Sequence, residues 1–409
     1  MRILHIEKFL DGDGAAAGGV GQYVRALGEA MEARGHQTFA FGCVTDAAMP
    51  AMPQLRDFNS AASPLAFVHM LHNDEAAGKL DACLRRQPVD VAHLHNIYHH
   101  LTPSILPVLA RHGVGIVMTC HDLRQAGRER AFWRWPVERL NLDGIDDHYA
   151  AAARRHCTGP GGAALAGRGA IERLLRRYHR WVGVWVCPTQ MAWDALCETG
   201  VPRSRLRLVR NPVRRPATSN TPRRSNVLLY AGRLAVEKSP ELLLPLAARL
   251  AGATVRVAGD GPMREPLGVA ATRRRVWNLE LLGHVGCDRM ADLYGEAAAV
   301  VVTSRCTENS PAAMLDAMAA GRCVIAPDQR GLREWIDDGE TGRLYPTGNV
   351  DALVAVAKDL LADRRQRQRL GAAAAPRIER MHPPDGIEQA VIEAYEAAMQ
   401  IARRRCESQ

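Results

Sequence analysis

Two clusters of charged side chains follow apolar runs in this chain, and each suits the holding of phosphate and hydroxyl groups. After the run Val227 to Ala231 comes Gly232-Arg233-Leu234-Ala235-Val236-Glu237-Lys238. A rigid guanidinium fork and a flexible ammonium are complementary phosphate partners, and together they can replace a metal in neutralising a departing diphosphate. Taken alone, such a pair also reads as solvated surface, the ordinary fate of Arg and Lys. After a second run, ending near Thr303, comes Cys306-Thr307-Glu308-Asn309-Ser310-Pro311-Ala312-Ala313-Met314-Leu315-Asp316-Ala317-Met318-Ala319-Ala320-Gly321. A helix opens near Pro311, and its first amides are available to a phosphate oxygen. Glu308 lies in the loop, and Asp316 falls about one and a half turns into the helix on the same side. Two acids so spaced accept hydrogen bonds from two separate hydroxyl-bearing groups.

Two glycine-rich turns carry weaker signals. Gly18, Gly19 and Gly21 stand between the first apolar run and a helical pattern, where absent Cβ atoms let backbone approach a phosphate or supply a loop with positive φ. Gly259-Asp260-Gly261-Pro262 is a tight turn leading into a helix, structural by default, with nucleotide proximity second. No G-x-G-x-x-G follows the first run directly and no G-x-x-x-x-G-K-[ST] occurs, which excludes the nicotinamide and Walker-type fingerprints.

The elements that must position these groups alternate strand with helix. Strand-like runs at Arg2 to Ile6, Thr38 to Val44, Val89 to Leu94, Gly115 to Thr119 and Val182 to Cys187 are separated by helical stretches, the first from Val20 to about Arg34. That repetition predicts a parallel, doubly wound sheet. A Pro- and Arg-rich stretch from Asn211 to Arg224 reads as a linker. Beyond it a second series runs through Val227 to Ala231, Thr254 to Ala258, Leu279 to Leu282, Val300 to Thr303 and Cys323 to Ala326. The expected division is 1–212, 213–380 and a C-terminal helix in 381–409 that crosses back to brace the first lobe. In open α/β sheets ligands bind beyond the carboxyl ends of the strands, so two facing lobes predict a cleft between them.

Composition fits this division. A chain of 409 residues that is 47% hydrophobic exceeds one ordinary domain. Ten cysteines without C-x-x-C spacing fit a reducing compartment. The apolar stretch in MRILHIEKFLDGD is too short for a signal-peptide core, and no run approaches the roughly 18 apolar residues of a spanning helix. A cytoplasmic protein, soluble or peripheral on the inner face of the membrane, is the expectation. The net charge of +9 leaves nucleic acid, anionic lipid and phosphorylated substrates open, but no nucleic-acid module motif is present, so no nucleic-acid partner is expected.

The Cys306–Gly321 segment resembles the E-x7-E region of the family-four retaining glycosyltransferases of GT-B fold. The Gly18-Gly19 turn, Gly232-Arg233 with Lys238, and Val257 to Pro262 follow in that family's order and spacing. Further matches are Pro88 to His95, Thr119-Cys120-His121-Asp122, Pro188-Thr189-Gln190, Asn211-Pro212-Val213 and Gly331-Leu332-Arg333-Glu334 leading to Gly339-Glu340-Thr341-Gly342, so the likeness covers nearly the whole chain. It implies two facing Rossmann-like domains with an interdomain cleft, the N-terminal one for acceptor and the C-terminal one for nucleotide-sugar. It implies retaining transfer of a sugar from a nucleotide diphosphate-sugar to a saccharide or lipid-linked acceptor, with no metal and no cofactor, through a front-face, oxocarbenium-like transition state. Glu308 would contact donor-sugar hydroxyls, Asp316 the ribose, and Arg233 with Lys238 the diphosphate. Gly18, Gly19 and Gly259, with the segment Asn309, Ser310, Pro311, Ala312 and Ala313, would line the donor, and His121 would lie near the anomeric centre. Asp316 stands where the family's pattern has Glu, one methylene longer.

Other features have competing readings. Asp11-Gly12-Asp13 imitates a metal-binding D-x-D but reads as solvated carboxylates at a loop mouth. His93, His95, His99 and His100 invite a zinc reading, yet no acid or Cys completes the set, so they are expected in the acceptor cleft or at the surface. Strand alternation makes Cys120 a core residue. Residues 127–185 are rich in Arg and Trp, with Trp133, Trp135, Trp181 and Trp185 among them, and suit contact with an anionic membrane as well as internal packing. An epimerase or phosphorylase of the same two-lobed fold, or a non-catalytic nucleotide binder, are the alternative functions.

Overall fold

The structure is a computed structural model that describes residues 1–9, 18–43, 72–97, 101–123, 179–214, 225–383 and 386–408. These fall into two compact units, the first ending at Pro212 and also taking in residues 386–408, the second running from Val213 to Pro383.

The first unit holds β1 (Arg2–Phe9), β2 (Gln37–Cys43), β3 (Val91–Leu94), β4 (Gly115–Thr119), β5 (Val184–Cys187) and β6 (Leu206–Leu208). They form a parallel sheet in the order β2-β1-β3-β4-β5-β6. Every residue of β3, β4 and β5 is buried, as a sheet covered on both faces requires. Helices start where polar side chains cap free amides: Asn73 Oδ1 accepts from the Ala76 N–H and Thr189 Oγ1 from the Ala192 N–H. The C-terminal helix Gly386–Glu407 sets Val391, Tyr395 and Ala398 against Ile3, Val91, Val117 and Val184, covering one face of this sheet.

The second unit holds β7 (Val227–Ala231), β8 (Thr254–Ala258), β9 (Leu279–Gly283), β10 (Ala299–Val301), β11 (Val324–Pro327) and β12 (Arg343–Tyr345). Its parallel order is β12-β11-β10-β7-β8-β9. The chain starts in the middle, winds outward to β9, then returns to build the other half from β10. The loops after β7 and β10 therefore leave in opposite directions, and a crevice opens between them at the carboxyl end of the sheet. Alternation sends Leu228 into a core with Val255, Leu244 and Leu353, and Leu229 into another with Val300, Leu315 and Trp335.

Arg305 and Glu241 form an ion pair of 2.9 Å inside this unit, with side chains 5% and 1% exposed. Removing one partner strands a buried charge, so Arg305→Ala is expected to cost about 3–5 kcal/mol of stability. Replacing both, as Arg305→Met with Glu241→Leu, is expected to recover most of it. Chemical denaturation of the three proteins checks both outcomes.

Two strands escape the sequence pattern. β6 and β12 are three-residue edge strands, Leu206-Arg207-Leu208 and Arg343-Leu344-Tyr345, too short and too charged to register as apolar runs. The basic aromatic segment before Tyr178, Asp11 with Asp13, His99 and His100, and most of the linker lie outside the described residues. Trp185, grouped above with an interfacial surface, is instead 1% exposed on β5, because its position on a strand covered on both faces leaves no route to solvent. Trp181 is half-buried between the guanidinium groups of Arg180 and Arg405, 5.1 and 5.3 Å from its ring centre.

Candidate active site

The two strands that flank the reversal of the second sheet carry the two charged loops. After β7, Gly232 leads to a 3-10 turn Val236–Lys238, and Ser239 then takes a left-handed conformation at φ 48°. A non-glycine residue there is strained and needs support from its surroundings. Support comes from β10's loop: the Thr303 hydroxyl donates to the Lys238 carbonyl at 2.7 Å, and the Arg305 and Cys306 amides donate to the Glu237 carbonyl at 3.2 Å each.

These contacts bring Lys238 Nζ to 2.6 Å from Glu308 Oε1, with the ammonium 30% and the carboxylate 8% exposed. The Cys306 thiol donates to the same carboxylate oxygen at 3.8 Å. Burial opposes the Lys238 charge, but the Glu308 carboxylate, through its charge and its hydrogen bond, outweighs it and holds the ammonium above its ordinary pKa. Burial pushes the Cys306 thiol up, so it stays protonated. Lys238 and Glu308 are thus a fixed cation and a fixed acceptor at one point of the crevice.

The loop bearing Glu308 is clamped from behind. Gln329 accepts from the Glu308 amide at 3.0 Å and donates to the Ser304 carbonyl at 2.8 Å, while the Trp335 indole donates to the Asn309 carbonyl at 3.0 Å. Neither Gln329 nor Trp335 figured among the sequence candidates. Only the motif end was visible there, and nothing in spacing links residue 308 to 329 or 335.

The helix Ala312–Ala319 opens at Pro311 with no side-chain cap and no acid in its first turn. Ser310 Oγ and Ser239 Oγ are both buried and find no hydrogen-bond partner among the described residues. Buried hydroxyls are normally satisfied, so these two orphans and the uncapped helix end leave hydrogen-bonding capacity unused beside the Lys238–Glu308 pair.

The third loop explains its own glycines. Gly259, after β8, sits at φ 152°, and a Cβ built there would stand 1.9 Å from the Gly232 carbonyl oxygen. At Gly261 a Cβ would stand 2.4 Å from the Leu234 carbonyl oxygen. The two turns interlock through Leu234 N–H to the Asp260 carbonyl at 2.8 Å and Met263 N–H to the Leu234 carbonyl at 2.9 Å. Gly259 therefore holds the loop that presents Arg233 and Lys238. Arg233 itself is exposed, its carbonyl accepting from the Tyr230 hydroxyl at 3.0 Å.

Asp316 has a different partner from the Lys238–Glu308 pair. Its carboxylate accepts from the Arg214 amide at 3.0 Å. Burial raises its pKa to about 7 against the pull of that amide and of the Arg214 charge. The folded state thus favours the protonated form, and this contribution to stability, complete in acid, is lost as pH rises through about 7. Asp316→Asn is expected to gain melting temperature relative to the unaltered protein between pH 4 and pH 7, and to level off above. Paired thermal melts across that range check it.

In the first unit Gly18 and Gly19 are not loop residues but open the helix Gly18–Ala33. Gly19 is exposed with nothing within 4 Å of a built Cβ, and it lies in the helix without a positive φ. His121 lies just beyond β4, its Nε2 3.0 Å from His95 Nδ1. His93 and His95, expected in a cleft or at the surface, are fully buried instead, because β3 is the strand next to β1 inside the sheet. Cys120 is in the core.

Comparison with known proteins agrees with this architecture. Residues 17–215 match the model for Glycosyltransferase Family 4 and residues 214–377 that for Glycosyl transferases group 1. The sulfoquinovosyl transferase SQD2 of Arabidopsis thaliana is 29% identical over 182 residues, 44% of this chain and 35% of that one. The D-inositol 3-phosphate glycosyltransferase of Streptomyces avermitilis is 30% identical over 229 residues, 52% of this chain and 49% of that one. The matches thus span about a third to a half of those relatives' length. Anabaena Alr3699/HepE, solved in complex with UDP-glucose, superposes with a TM-score of 0.69 over 97% of this chain and 100% of its own, at 16% identity. That likeness bears on fold: the fold is the two-domain α/β GT-B type, whose two parallel sheets the strand pattern predicts and whose GT-B class the family resemblance implies. With two family models matched end to end across residues 17–377, the chain belongs to the group 1, family-four glycosyltransferases.

Proposed function

We propose that the protein transfers a sugar from a nucleotide diphosphate-sugar to a saccharide or lipid-linked acceptor with retention of anomeric configuration, and needs no metal ion to do so. The observation that carries this reading is the Lys238–Glu308 pair of 2.6 Å, set at the strand-order reversal beside the uncapped end of the helix Ala312–Ala319. A diphosphate draws the Lys238 ammonium to itself, with Arg233 and the amides of Ala312 and Ala313 sharing the negative charge. Glu308, released from the ammonium, accepts hydrogen bonds from hydroxyls of the transferred sugar. Asp316 serves the ribose and His121 the sugar, as the family resemblance implies.

As the bond from the anomeric carbon to the phosphate oxygen breaks, its electron pair leaves with the diphosphate. With Lys238 already turned to the bound diphosphate, the cations stabilise that charge as it forms, and the bond-breaking step asks for no further movement. The acceptor oxygen bonds to the anomeric carbon on the vacated face, and its proton passes to the departing phosphate oxygen. HepE, solved in complex with UDP-glucose and with UDP and glucose, supports a uridine nucleotide as the first donor to try.

The test is a panel of nucleotide diphosphate-sugars with simple saccharide acceptors, read by release of nucleoside diphosphate and by proton NMR of the new linkage. The reading expects one donor to be turned over, unchanged by a chelator, with the product keeping the donor's anomeric configuration. Inversion, or activity abolished by the chelator and restored by a divalent cation, refutes it.

A further inference from the structure

A small pocket opens at the end of the second unit opposite the crevice. Ser225 stands two residues before β7, Ala298 directly before β10 and Cys323 directly before β11, so three loops gather at the amino ends of the strands and line it. The first turn of the helix Arg364–Met381 supplies another wall. Two glycines let that helix come so close: a Cβ built at Gly371 would stand 2.2 Å from the Gly321 carbonyl oxygen. The approach puts Arg364 and Arg367 in one lining with Arg322.

Three arginines thus share a pocket whose lining, among the described residues, contains no acid. Arg322 is 4% and Arg367 9% exposed, while Arg364 stands at the surface. Burial lowers the pKa of Arg322, and burial together with the Arg364 charge lowers that of Arg367. Burial also pushes the Cys323 thiol up to about 12, so this sulfur brings no negative charge. Asp363, at the start of the helix, accepts from the Gln366 amide at 2.9 Å.

The ordinary structural role of such arginines accounts for only part of the arrangement. Arg367 Nη1 donates to the carbonyls of Leu360 and Leu361, capping the end of the helix Val350–Ala362. Its Nε and Nη2, and the whole Arg364 guanidinium, make no hydrogen bond or ion pair among the described residues. Like charges held together at low exposure repel, and an anion between them turns that repulsion into attraction. Guanidinium forks match the oxygens of a phosphate group in pairs. The pocket encloses about 310 Å³ with its open mouth included, the low end for a small-molecule site, which suits a single anionic group better than a whole nucleotide.

We propose that this pocket binds a phosphate-class oxyanion, as inorganic phosphate or as the end of a phosphate monoester, through the remaining donors of Arg364 and Arg367 in the field of Arg322. The site is separate from the crevice after β7 and β10 and does not depend on the proposed reaction.

The experiment is a set of thermal melts of the full chain with inorganic phosphate added at constant ionic strength, since a ligand of the folded state raises its melting temperature by mass action. Lys238→Ala, which disables the crevice, is expected to keep the rise. In the same background Arg364→Gln is expected to need at least fivefold more phosphate for an equal rise, and Arg364→Lys, which keeps the charge and loses the fork, falls between. Without phosphate, Arg364→Gln is expected to melt no lower than the parent, because it relieves repulsion; a side chain that merely props the fold would lower it. Glycerol phosphate separates the two sources: a matching rise names the monoester, none names the free ion. No donor sugar is added, so the transferase reading can fail without touching this result. No rise with phosphate, a rise lost in Lys238→Ala, or an equal rise in Arg364→Gln overturns the proposal.

Discussion

Lys238→Ala is expected to lower turnover by about a thousandfold while leaving the protein folded, the loss typical of removing a fixed group that stabilises charge in a transition state. The ammonium has two tasks in the proposed reaction. It holds the Glu308 carboxylate at 2.6 Å in the resting site, and it meets the diphosphate as negative charge develops there. Alanine removes both and leaves a carboxylate that is 8% exposed with the Cys306 thiol as a poor substitute. Because the ammonium itself is 30% exposed, solvent screens the pair, and the melting temperature is expected to move little. Lys238→Arg is expected to rescue poorly, since a planar fork cannot take the place of a compact ammonium on a bent 3-10 turn. Glu308→Gln keeps the size and part of the hydrogen bonding, and is expected to cost about a hundredfold. The double variant should lose little more than the worse single one, because the two groups act as a unit. Steady-state kinetics with the donor found in the panel, alongside thermal melts, check all four.

Gly259→Ala is expected to destabilise the second unit by about 3 kcal/mol or more, lowering its melting temperature by about 10 °C. The added methyl carbon would stand 1.9 Å from the Gly232 carbonyl oxygen and 2.9 Å from its carbonyl carbon. Both are backbone atoms, so no rotamer change relieves the clash and the loop after β7 must shift. That shift carries Arg233 and Lys238, so activity is expected to fall even where the variant remains folded. Gly252→Ala is the control: nothing lies within 4 Å of its built Cβ, and its effect is expected to stay within about 0.5 kcal/mol. Differential scanning calorimetry of the two variants separates a steric account from a general intolerance of substitution.

Much of this was legible beforehand where the physics is local. The runs Gly115 to Thr119, Val227 to Ala231 and Thr254 to Ala258 coincide with β4, β7 and β8 residue for residue: β4 is buried throughout, β7 through its three central residues, and β8 alternates buried Val255 and Val257 with half-exposed Thr254 and Arg256. The loop cations and Glu308 could be placed because their strands could. What stayed hidden depends on partners distant in sequence. Gln329 and Trp335 support the Glu308 loop through backbone contacts that no periodicity reports. His93 and His95 sit in an alternating pattern that is equally compatible with a wet face, and only the order β2-β1-β3-β4 shows that they are interior. Glycine disfavours a helix interior, so the pattern puts Gly18 and Gly19 in a loop, whereas at the first turn of Gly18–Ala33 that cost is small.

The central claim, that the crevice after β7 and β10 holds a nucleoside diphosphate through Lys238, is tested most directly by titration calorimetry of the nucleoside diphosphate released in the donor panel. Binding to the unaltered protein at one site, in the presence of chelator, and weakened at least tenfold in a folded Lys238→Ala variant, is the result expected. Equal affinity in the two proteins, or no binding until a divalent cation is supplied, would contradict it.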